Sequence, residues 1–291
     1  RSGAAQSSDA ICSAIRDGDP GVSGMFDLTG KVALVTGGGL GIGRAIAGGL
    51  AEHGAEVLVC DLHQHDLDEV STFINGFGRR CVTTVTDIGQ EAEILAMFDL
   101  LDREFGRIDV LVNNVGTGAR FRPDELPVDR FRGVLESGLI GTFLCSQQAS
   151  RRMIAQGSGG SIINISSIAG ALALGRGNMA HSTNKGAINS MTREMAVEWA
   201  HHGIRVNAIL PCQVLTEGFQ GWLDSPTFDP ALMDRFLTGI PMNRLATPQD
   251  MAGPAVFLAS DAAAMVTGTL LGVDGGNLAL NAGGSHTWTT A

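Results

Sequence analysis

His181 and Lys185 lie one turn apart in a helical pattern over Met179–His201. Histidine exchanges protons near neutral pH, and a neighbouring lysine cation disfavours the imidazolium form. A neutral His181 is better suited to abstracting a proton than to donating one. The chain contains no tyrosine, so no phenol can share this role. The pair is therefore a candidate for proton transfer with His181 as the base, whereas the alternative is an inert histidine beside a solvated lysine.

A glycine-rich turn connects the first predicted strand, Val32–Thr36, to a helix that begins at Gly41. Glycines let the backbone approach a pyrophosphate, which the free N–H groups and positive dipole of a helix N-terminus stabilise. Asp61 ends the second strand at the spacing expected for a ribose ligand. A carboxylate there accepts the 2′ and 3′ hydroxyls of NAD and repels a 2′-phosphate, and neither Leu40 nor Leu62 supplies a cation for that phosphate. The sequence therefore predicts an NAD site.

Short apolar segments of strand length alternate with helical patterns from Lys31 onward. The predicted strands are Val32–Thr36, Glu56–Cys60, Arg80–Thr84, Ile108–Val112, Ser161–Ile165, Ile204–Ile209 and Thr269–Val273. The helical patterns are Gly41–His53, Gln64–Gly76, Gly89–Phe105, Pro127–Gln156, Met179–His201 and Pro248–Ser260. Apolar strands that alternate with helices are typical of βαβ units whose sheet is covered on both faces. We predict an α/β fold with a doubly wound parallel sheet, a Rossmann fold, with seven strands and helices on both faces.

The chain has 291 residues, and no internal linker interrupts the pattern, so residues 25–291 are predicted to form a single domain. Residues 1–24 are polar and rich in Gly and Ser, without the apolar segment of a secretory signal. They are predicted to be a disordered extension or a cloning remnant. Residues 217–246 carry four aromatic residues and three prolines, and a connection of this length is expected to be a substrate lid.

The composition narrows the partners and the compartment. The net charge is −10 and the pI is about 5.1, which argues against a nucleic acid or an anionic membrane as a partner. No apolar segment is long enough to cross a bilayer. The five cysteines are scattered without a Cys-x-x-Cys pair, so neither a disulfide framework nor a metal site is indicated. These features favour a cytoplasmic protein that acts on a small molecule.

Several segments that follow the predicted strands resemble the short-chain dehydrogenase/reductase family over about residues 26–280. They are Asp87-Ile88, Asn113-Asn114-Val115-Gly116, Asn164-Ile165-Ser166-Ser167, Pro211 with Thr216, and Val273-Asp274-Gly275-Gly276. The helix that contains Lys185 matches the family's Tyr-x-x-x-Lys helix in everything except its first residue. The resemblance implies an oxidoreductase of the short, single-domain type that uses a nicotinamide cofactor.

The resemblance also assigns roles to individual residues. Ser167 would hydrogen-bond the substrate oxygen, and Lys185 would hold the nicotinamide ribose. The family packs the helices here predicted as Pro127–Gln156 and Met179–His201 across subunit interfaces, which implies a homotetramer. The residues expected to contact the cofactor are Gly37, Gly39, Gly41, Ile42, Gly43, Asp61, Leu62, Asp87, Ile88, Asn113, Val115, Gly116, Lys185, Pro211, Val214 and Thr216.

Three positions depart from the family pattern. His181 stands in place of the tyrosine, Gly138 in place of an asparagine that holds a relay water, and Cys212 in place of a glycine near the nicotinamide. Of the four catalytic positions, Ser167 and Lys185 remain. An imidazole reaches less far than a phenol by about 2 Å, and a misplacement of about 1 Å can cost on the order of a hundredfold in rate. A bridging water could close this gap.

Three arginines stand in segments that border the substrate pocket of the family, Arg120, Arg122 and Arg176. Any one of them alone is expected to be a surface side chain. Two that converge there would suit a carboxylate or another anion.

Three functions are compatible with this set of residues. The first is an NAD-dependent oxidoreductase that acts on a secondary alcohol, a ketone or a sugar-like substrate through a modified proton relay of Ser167, His181 and Lys185. The second is a non-redox lyase, isomerase or dehydratase with His181 as the base. The third is a pseudoenzyme that binds NAD. The first is favoured because a full nicotinamide site would have little use without hydride transfer.

Overall fold

A seven-stranded parallel sheet forms the centre of the computed structural model, which describes residues 24–280. The strands are β1 (Val32–Thr36), β2 (Glu56–Asp61), β3 (Cys81–Val85), β4 (Val110–Asn113), β5 (Gly160–Ile165), β6 (Ile204–Pro211) and β7 (Leu270–Val273). Their order across the sheet is β3-β2-β1-β4-β5-β6-β7, and all six pairs are parallel. The predicted fold class is confirmed. The strand order reverses between β1 and β4, and in such sheets ligands bind beyond the carboxyl ends of the strands at this point.

Helices cover both faces of the sheet. They are α1 (Gly41–Glu52), α2 (Gln64–Asn75), α3 (Glu91–Glu104), α4 (Val128–Leu135), α5 (Gly141–Gln156), α6 (Met179–Trp199), α7 (Glu217–Leu223), α8 (Ala231–Thr238) and α9 (Gln249–Ala259). Successive side chains of a strand point to opposite faces. In β1, Ala33 and Val35 pack with residues of α1, α2 and α9, whereas Leu34 packs with residues of α3, α5 and α6. The two apolar layers fix the sheet and hold its carboxyl edge in place.

The region predicted as a helix over Pro127–Gln156 is helical from Val128 to Gln156, but it is not one regular α-helix. A π-helical segment, Glu136–Ile140, lies between α4 and α5. A side chain at Gly138 would collide with the amide of Asn184, and one at Gly141 would collide with the carbonyl group of Ile88. The backbone at Gly138 and Gly141 therefore lies too close to Asn184 and Ile88 to carry side chains. Short π-helical segments of this kind are frequent at functional sites.

Residues 217–246 contain α7 and α8 and a cluster of four aromatic rings. The ring centroids of Trp222 and Phe228 lie 4.8 Å apart, and those of Trp222 and Phe236 lie 6.3 Å apart. Phe219 completes the cluster, with its centroid 5.5 Å from that of Trp222. Edge and tilted contacts of this kind hold a segment together.

Three sequence expectations remain, of which one concerns the N-terminal residues. The prediction of a disordered extension over residues 1–24 falls on residues that lie outside the described range, apart from Gly24. Within residues 24–280, no helix is long and apolar enough to cross a membrane. The same range contains no cluster of His, Cys, Asp and Glu side chains that could hold a metal ion.

Candidate functional site

Two adjoining clefts open at the carboxyl edge of the sheet. The larger has a volume of about 560 Å³ and the smaller about 280 Å³, and both are lined by Asn114 and Gly116. The predicted residues that line the larger cleft are Gly37, Asp61, Leu62, Asp87, Ile88, Val115 and Gly116. Those that line the smaller cleft are Ile42, Gly116, Ser167, His181, Lys185, Pro211, Val214 and Thr216. The fold thus brings together most of the residues that the sequence singled out.

The turn after β1 is built so that only glycine fits. Gly37 and Gly41 have φ values of 60° and 53°, in the left-handed region that favours glycine. A Cβ atom at Gly43 would collide with the carbonyl oxygen of Gly37. The start of α1 therefore packs directly on the turn, and the N–H groups there remain free to bind an anion. Gly39, Gly41 and Gly43 shape the turn and do not themselves line either cleft.

Asp61 is held at the end of β2 by backbone donors. Its carboxylate accepts hydrogen bonds from the N–H of Gly39 at 2.9 Å and from the N–H of Leu62 at 2.7 Å. The carboxylate is half-buried at the edge of the larger cleft. It therefore presents a fixed negative charge directly beside the glycine turn, where a positive or hydroxyl-bearing ligand is favoured.

Asn113 and Asn114 have different surroundings. The Asn113 side chain is buried and donates to Ser146 Oγ and Asn164 Oδ1, both at 2.9 Å, so it lines neither cleft. The Asn114 side chain donates to the carbonyl oxygen of Gly37 at 2.7 Å and braces the glycine turn. Sequence reasoning did not single out Asn114. Because successive side chains of a strand point to opposite faces, the alternation along β4 predicts that Asn113 and Asn114 have different surroundings.

Ser167, His181 and Lys185 line one wall of the smaller cleft. Ser167 follows β5, and its Oγ accepts a hydrogen bond from the N–H of Ala169 at 3.0 Å. Its hydroxyl proton remains available to a ligand. The Nζ of Lys185 donates to the carbonyl oxygen of Ile165 at 2.7 Å, which ties α6 to the end of β5. The three side chains therefore have set positions around the cleft.

The electrostatics of this wall keep His181 neutral. Burial lowers the pKa of His181 to about 4, with further lowering by Lys185 and Arg176 and an opposing contribution from the Thr117 backbone. Lys185 is only 3% exposed, and burial lowers its pKa to about 8. At neutral pH the lysine is a cation and the imidazole is a free base. In this state His181 can accept a proton, and its pKa of about 4 makes it a weak base at neutral pH.

Asn184 is a buried polar residue that sequence reasoning missed. It is fully buried beside Lys185 in α6, and its amide occupies the space in front of Gly138. Neither polar atom of this amide has a hydrogen-bond partner among residues 24–280. Buried amides are nearly always hydrogen-bonded, so this one requires a partner such as water. Sequence spacing gives no signal for the contact, because the tertiary packing of α6 on the π-helical segment creates it.

The sheet order, the glycine turn and the cleft at the switch point define an α/β protein of the Rossmann type. A family model described as enoyl-(acyl carrier protein) reductase matches residues 38–277. D-threitol dehydrogenase from Mycolicibacterium smegmatis is 40% identical to this chain over 252 residues, which cover 86% of this chain and 94% of that protein.

Two crystal structures are also similar. A short-chain type dehydrogenase/reductase from Mycobacterium marinum superposes with a TM-score of 0.83 at 33% identity, covering 88% of this chain and 99% of that one. Gluconate 5-dehydrogenase from Burkholderia cenocepacia J2315, in complex with NADP and tartrate, gives a TM-score of 0.82 at 33% identity, with coverage of 88% and 98%. The chain belongs to the short-chain dehydrogenase/reductase family.

Proposed function

We propose that the protein is an NAD-dependent dehydrogenase that oxidises a secondary hydroxyl group of a sugar-like alcohol, with His181 in the place of the family's tyrosine as proton acceptor. The observation that carries the proposal is the grouping of Ser167, His181 and Lys185 in a cleft that adjoins the glycine turn. The relatives support the reaction class, because they include a D-threitol dehydrogenase and a gluconate 5-dehydrogenase.

The residues around the two clefts fit a dinucleotide. A Cβ at Gly43 would collide with the carbonyl group of Gly37, so α1 can pack on the turn, with its N-terminus towards a pyrophosphate, only because this residue is glycine. Gly37 and Ile42 would contact the pyrophosphate on the turn that Gly39, Gly41 and Gly43 shape, Asp61 and Leu62 the adenosine ribose, and Asp87 and Ile88 the adenine. Val115 and Gly116 would lie under the cofactor with Asn113 bracing the sheet behind them, and Lys185, Pro211, Val214 and Thr216 would contact the nicotinamide half. When bound, NAD accepts the hydride from the alcohol carbon.

Asp61 supports NAD as the cofactor. Three structurally similar relatives hold NADP, so the fold alone does not decide between the two cofactors. The Asp61 carboxylate is fixed by two backbone N–H groups and cannot easily turn away. A 2′-phosphate beside it would be repelled and would lack a cationic partner.

His181 would remove the proton of the hydroxyl group that is oxidised. The imidazole is a free base at neutral pH because burial, and then Lys185, lowers its pKa. The Ser167 hydroxyl would donate to the same substrate oxygen. The Lys185 cation would disfavour a lasting imidazolium, so His181 would return its proton to water readily and be neutral for the next cycle.

We further propose that residues 217–246 form a lid over the substrate in a single domain of residues 25–291. Phe219 lines the smaller cleft and contacts Trp222 within the aromatic cluster, which supports a role for this segment at the substrate.

We also propose a cytoplasmic location. It is supported by the free thiols of four cysteines among the described residues, Cys60, Cys81, Cys145 and Cys212.

Formation of NADH, followed by its absorbance over a panel of secondary alcohols, polyols and sugar acids, tests the proposal. We expect turnover with at least one member of this panel, and a kcat/KM with NAD about tenfold or more above that with NADP. Asp61→Ala should narrow this ratio, whereas Asp68→Ala, which removes an exposed acid in α2, should leave it unchanged.

The outcomes separate the three candidate functions. A preference for NADP in the unaltered protein would contradict the cofactor assignment. NAD binding without turnover of any alcohol would contradict the dehydrogenase and favour a non-redox enzyme with His181 as base or an NAD-binding pseudoenzyme.

A further inference from the structure

Two arginines are neighbours beside the smaller cleft, which Arg176 lines and the exposed Arg120 does not. Arg120 follows β4, and Arg176 precedes α6. The two segments are joined directly, because the N–H of Phe121 donates to the carbonyl oxygen of Gly177 at 3.1 Å. This hydrogen bond holds the chain neighbours of the two arginines against each other.

Each guanidinium group lies on an aromatic ring of residues 217–246. The Cζ of Arg120 is 3.8 Å from the ring centroid of Trp222, and the Cζ of Arg176 is 4.6 Å from that of Phe236. The two rings are themselves neighbours, with centroids 6.3 Å apart. Stacking on a ring fixes the plane of a guanidinium group and leaves its N–H edge free to bind a ligand.

Neither arginine is neutralised by the protein. Among the ion pairs within residues 24–280, none involves Arg120 or Arg176. The Nε of Arg176 is buried without a hydrogen-bond partner in the same part of the chain. Burial lowers the pKa of Arg176, and Arg120 lowers it further, as expected for two adjacent cations. Arg122 is exposed, as is Arg120, but it pairs with Asp124 at 3.1 Å.

The cleft that Arg176 lines also contains Ser167 and His181. Its lining includes the cations Arg176 and Lys185, and none of its described lining residues is an aspartate or glutamate. This is a local excess of positive charge in a chain whose net charge is −10. Burying a cation in a cleft without an opposite charge costs free energy, which an anionic ligand would offset. The planar donor fork of arginine matches a carboxylate.

We propose that Arg120 and Arg176 form a binding site for the carboxylate of the substrate, and that the substrate is therefore a hydroxy acid of the sugar-acid type and not a neutral polyol. The carboxylate would bind at the arginine pair while the hydroxyl group to be oxidised lies at His181. The assignment of the oxidised group rests on the proposed function, whereas the binding of the acid does not.

Calorimetric titration of matched ligands tests this site without relying on turnover. The probes are D-gluconate with D-glucitol and L-threonate with L-threitol, each pair differing by a carboxylate in place of a hydroxymethyl group, titrated with and without NADH. We expect each acid to bind about tenfold or more tightly than its alditol. Arg176→Gln and Arg120→Gln should each weaken acid binding by about tenfold or more and leave alditol binding unchanged.

Two further variants give the controls. Arg122→Gln removes an arginine of the same segment that has its own acidic partner, and it should leave both affinities unchanged. Arg176→Lys keeps the charge but loses the planar fork, and it should retain part of the preference for the acid.

Each outcome decides the proposal. Acids that bind no tighter than their alditols, or arginine variants that weaken acid and alditol equally, would overturn it and leave the arginines a purely structural role. Arginine-dependent acid binding in a protein that forms no NADH with any alcohol would support the anion site while overturning the dehydrogenase function.

Discussion

At the scale of single residues, the site depends on one buried lysine. Lys185 is held by the carbonyl oxygen of Ile165 at 2.7 Å and is charged at neutral pH despite its burial. A cation in that position keeps a neighbouring imidazole neutral. The same charge would stabilise the deprotonated form of a phenol, so a tyrosine and a histidine at position 181 can both act as bases beside it. The imidazole is the weaker base of the two, because its pKa falls from 6.5 to about 4, whereas that of a phenol starts from about 10.

The depressed pKa of His181 predicts a pH dependence of stability. In the folded chain the pKa of His181 falls from 6.5 to about 4, with burial as the main cause. As the pH decreases, the unfolded chain therefore binds a proton first. The stabilisation from the neutral imidazole is fully present above pH 6.5 and is lost as the pH falls towards about 4. Thermal unfolding over this window should show a steeper loss for the unaltered protein than for His181→Phe, and parallel curves would contradict the burial of His181.

At the scale of elements, most of the architecture could be predicted and one part could not. The alternation of apolar strands and helices, the turn after Val32–Thr36 and the acid at Asp61 depend on local patterns, and the structure places them at one sheet edge. The π-helical segment Glu136–Ile140 depends on packing between α6 and the region around Gly138, which a local pattern does not contain. The sequence indicates that Arg120, Arg122 and Arg176 border one pocket. Only the tertiary structure shows that Arg120 and Arg176 lie on neighbouring aromatic rings, whereas Arg122 pairs with Asp124.

The contact between Gly138 and Asn184 predicts a conditional effect on stability. Gly138→Asn alone should lower the free energy of unfolding by about 1–3 kcal/mol, since the added side chain overlaps the Asn184 amide in a packed interior. The double variant Gly138→Asn with Asn184→Ala should recover most of that loss, because the obstructing amide is removed. Gly133→Asn is the control, since a Cβ there has nothing within 4 Å. Denaturant unfolding measures the free energy of unfolding of all three variants. A double variant whose loss is the sum of the losses from Gly138→Asn and Asn184→Ala would contradict the contact.

At the scale of the whole molecule, the helices α5 and α6 carry exposed apolar side chains. Phe143 and Ile154 of α5 are exposed, and Val197 of α6 is 77% exposed. The family resemblance places these same helices at a subunit interface. Exposed apolar groups on these helices favour association through a two-fold axis.

We therefore expect a homotetramer that single substitutions can weaken. Light scattering at micromolar concentration should give a tetramer mass for the unaltered protein and a smaller species for Phe143→Arg or Val197→Arg, because each places a charge in a buried interface. Leu95→Arg, which changes an exposed leucine on α3, should leave the mass unchanged. A monomer mass for the unaltered protein would contradict the assembly.

The central claim, that His181 is the base in an NAD-dependent oxidation, is tested most directly by the turnover of His181→Phe beside its affinity for NAD. The account predicts that kcat falls by about a hundredfold or more, because the variant lacks a proton acceptor. The dissociation constant for NAD should stay within about twofold, since the pyrophosphate and ribose contacts lie at the glycine turn and Asp61. Turnover by His181→Phe at the level of the unaltered protein would contradict the account, as would a strong dehydrogenase produced by His181→Tyr from an inactive parent.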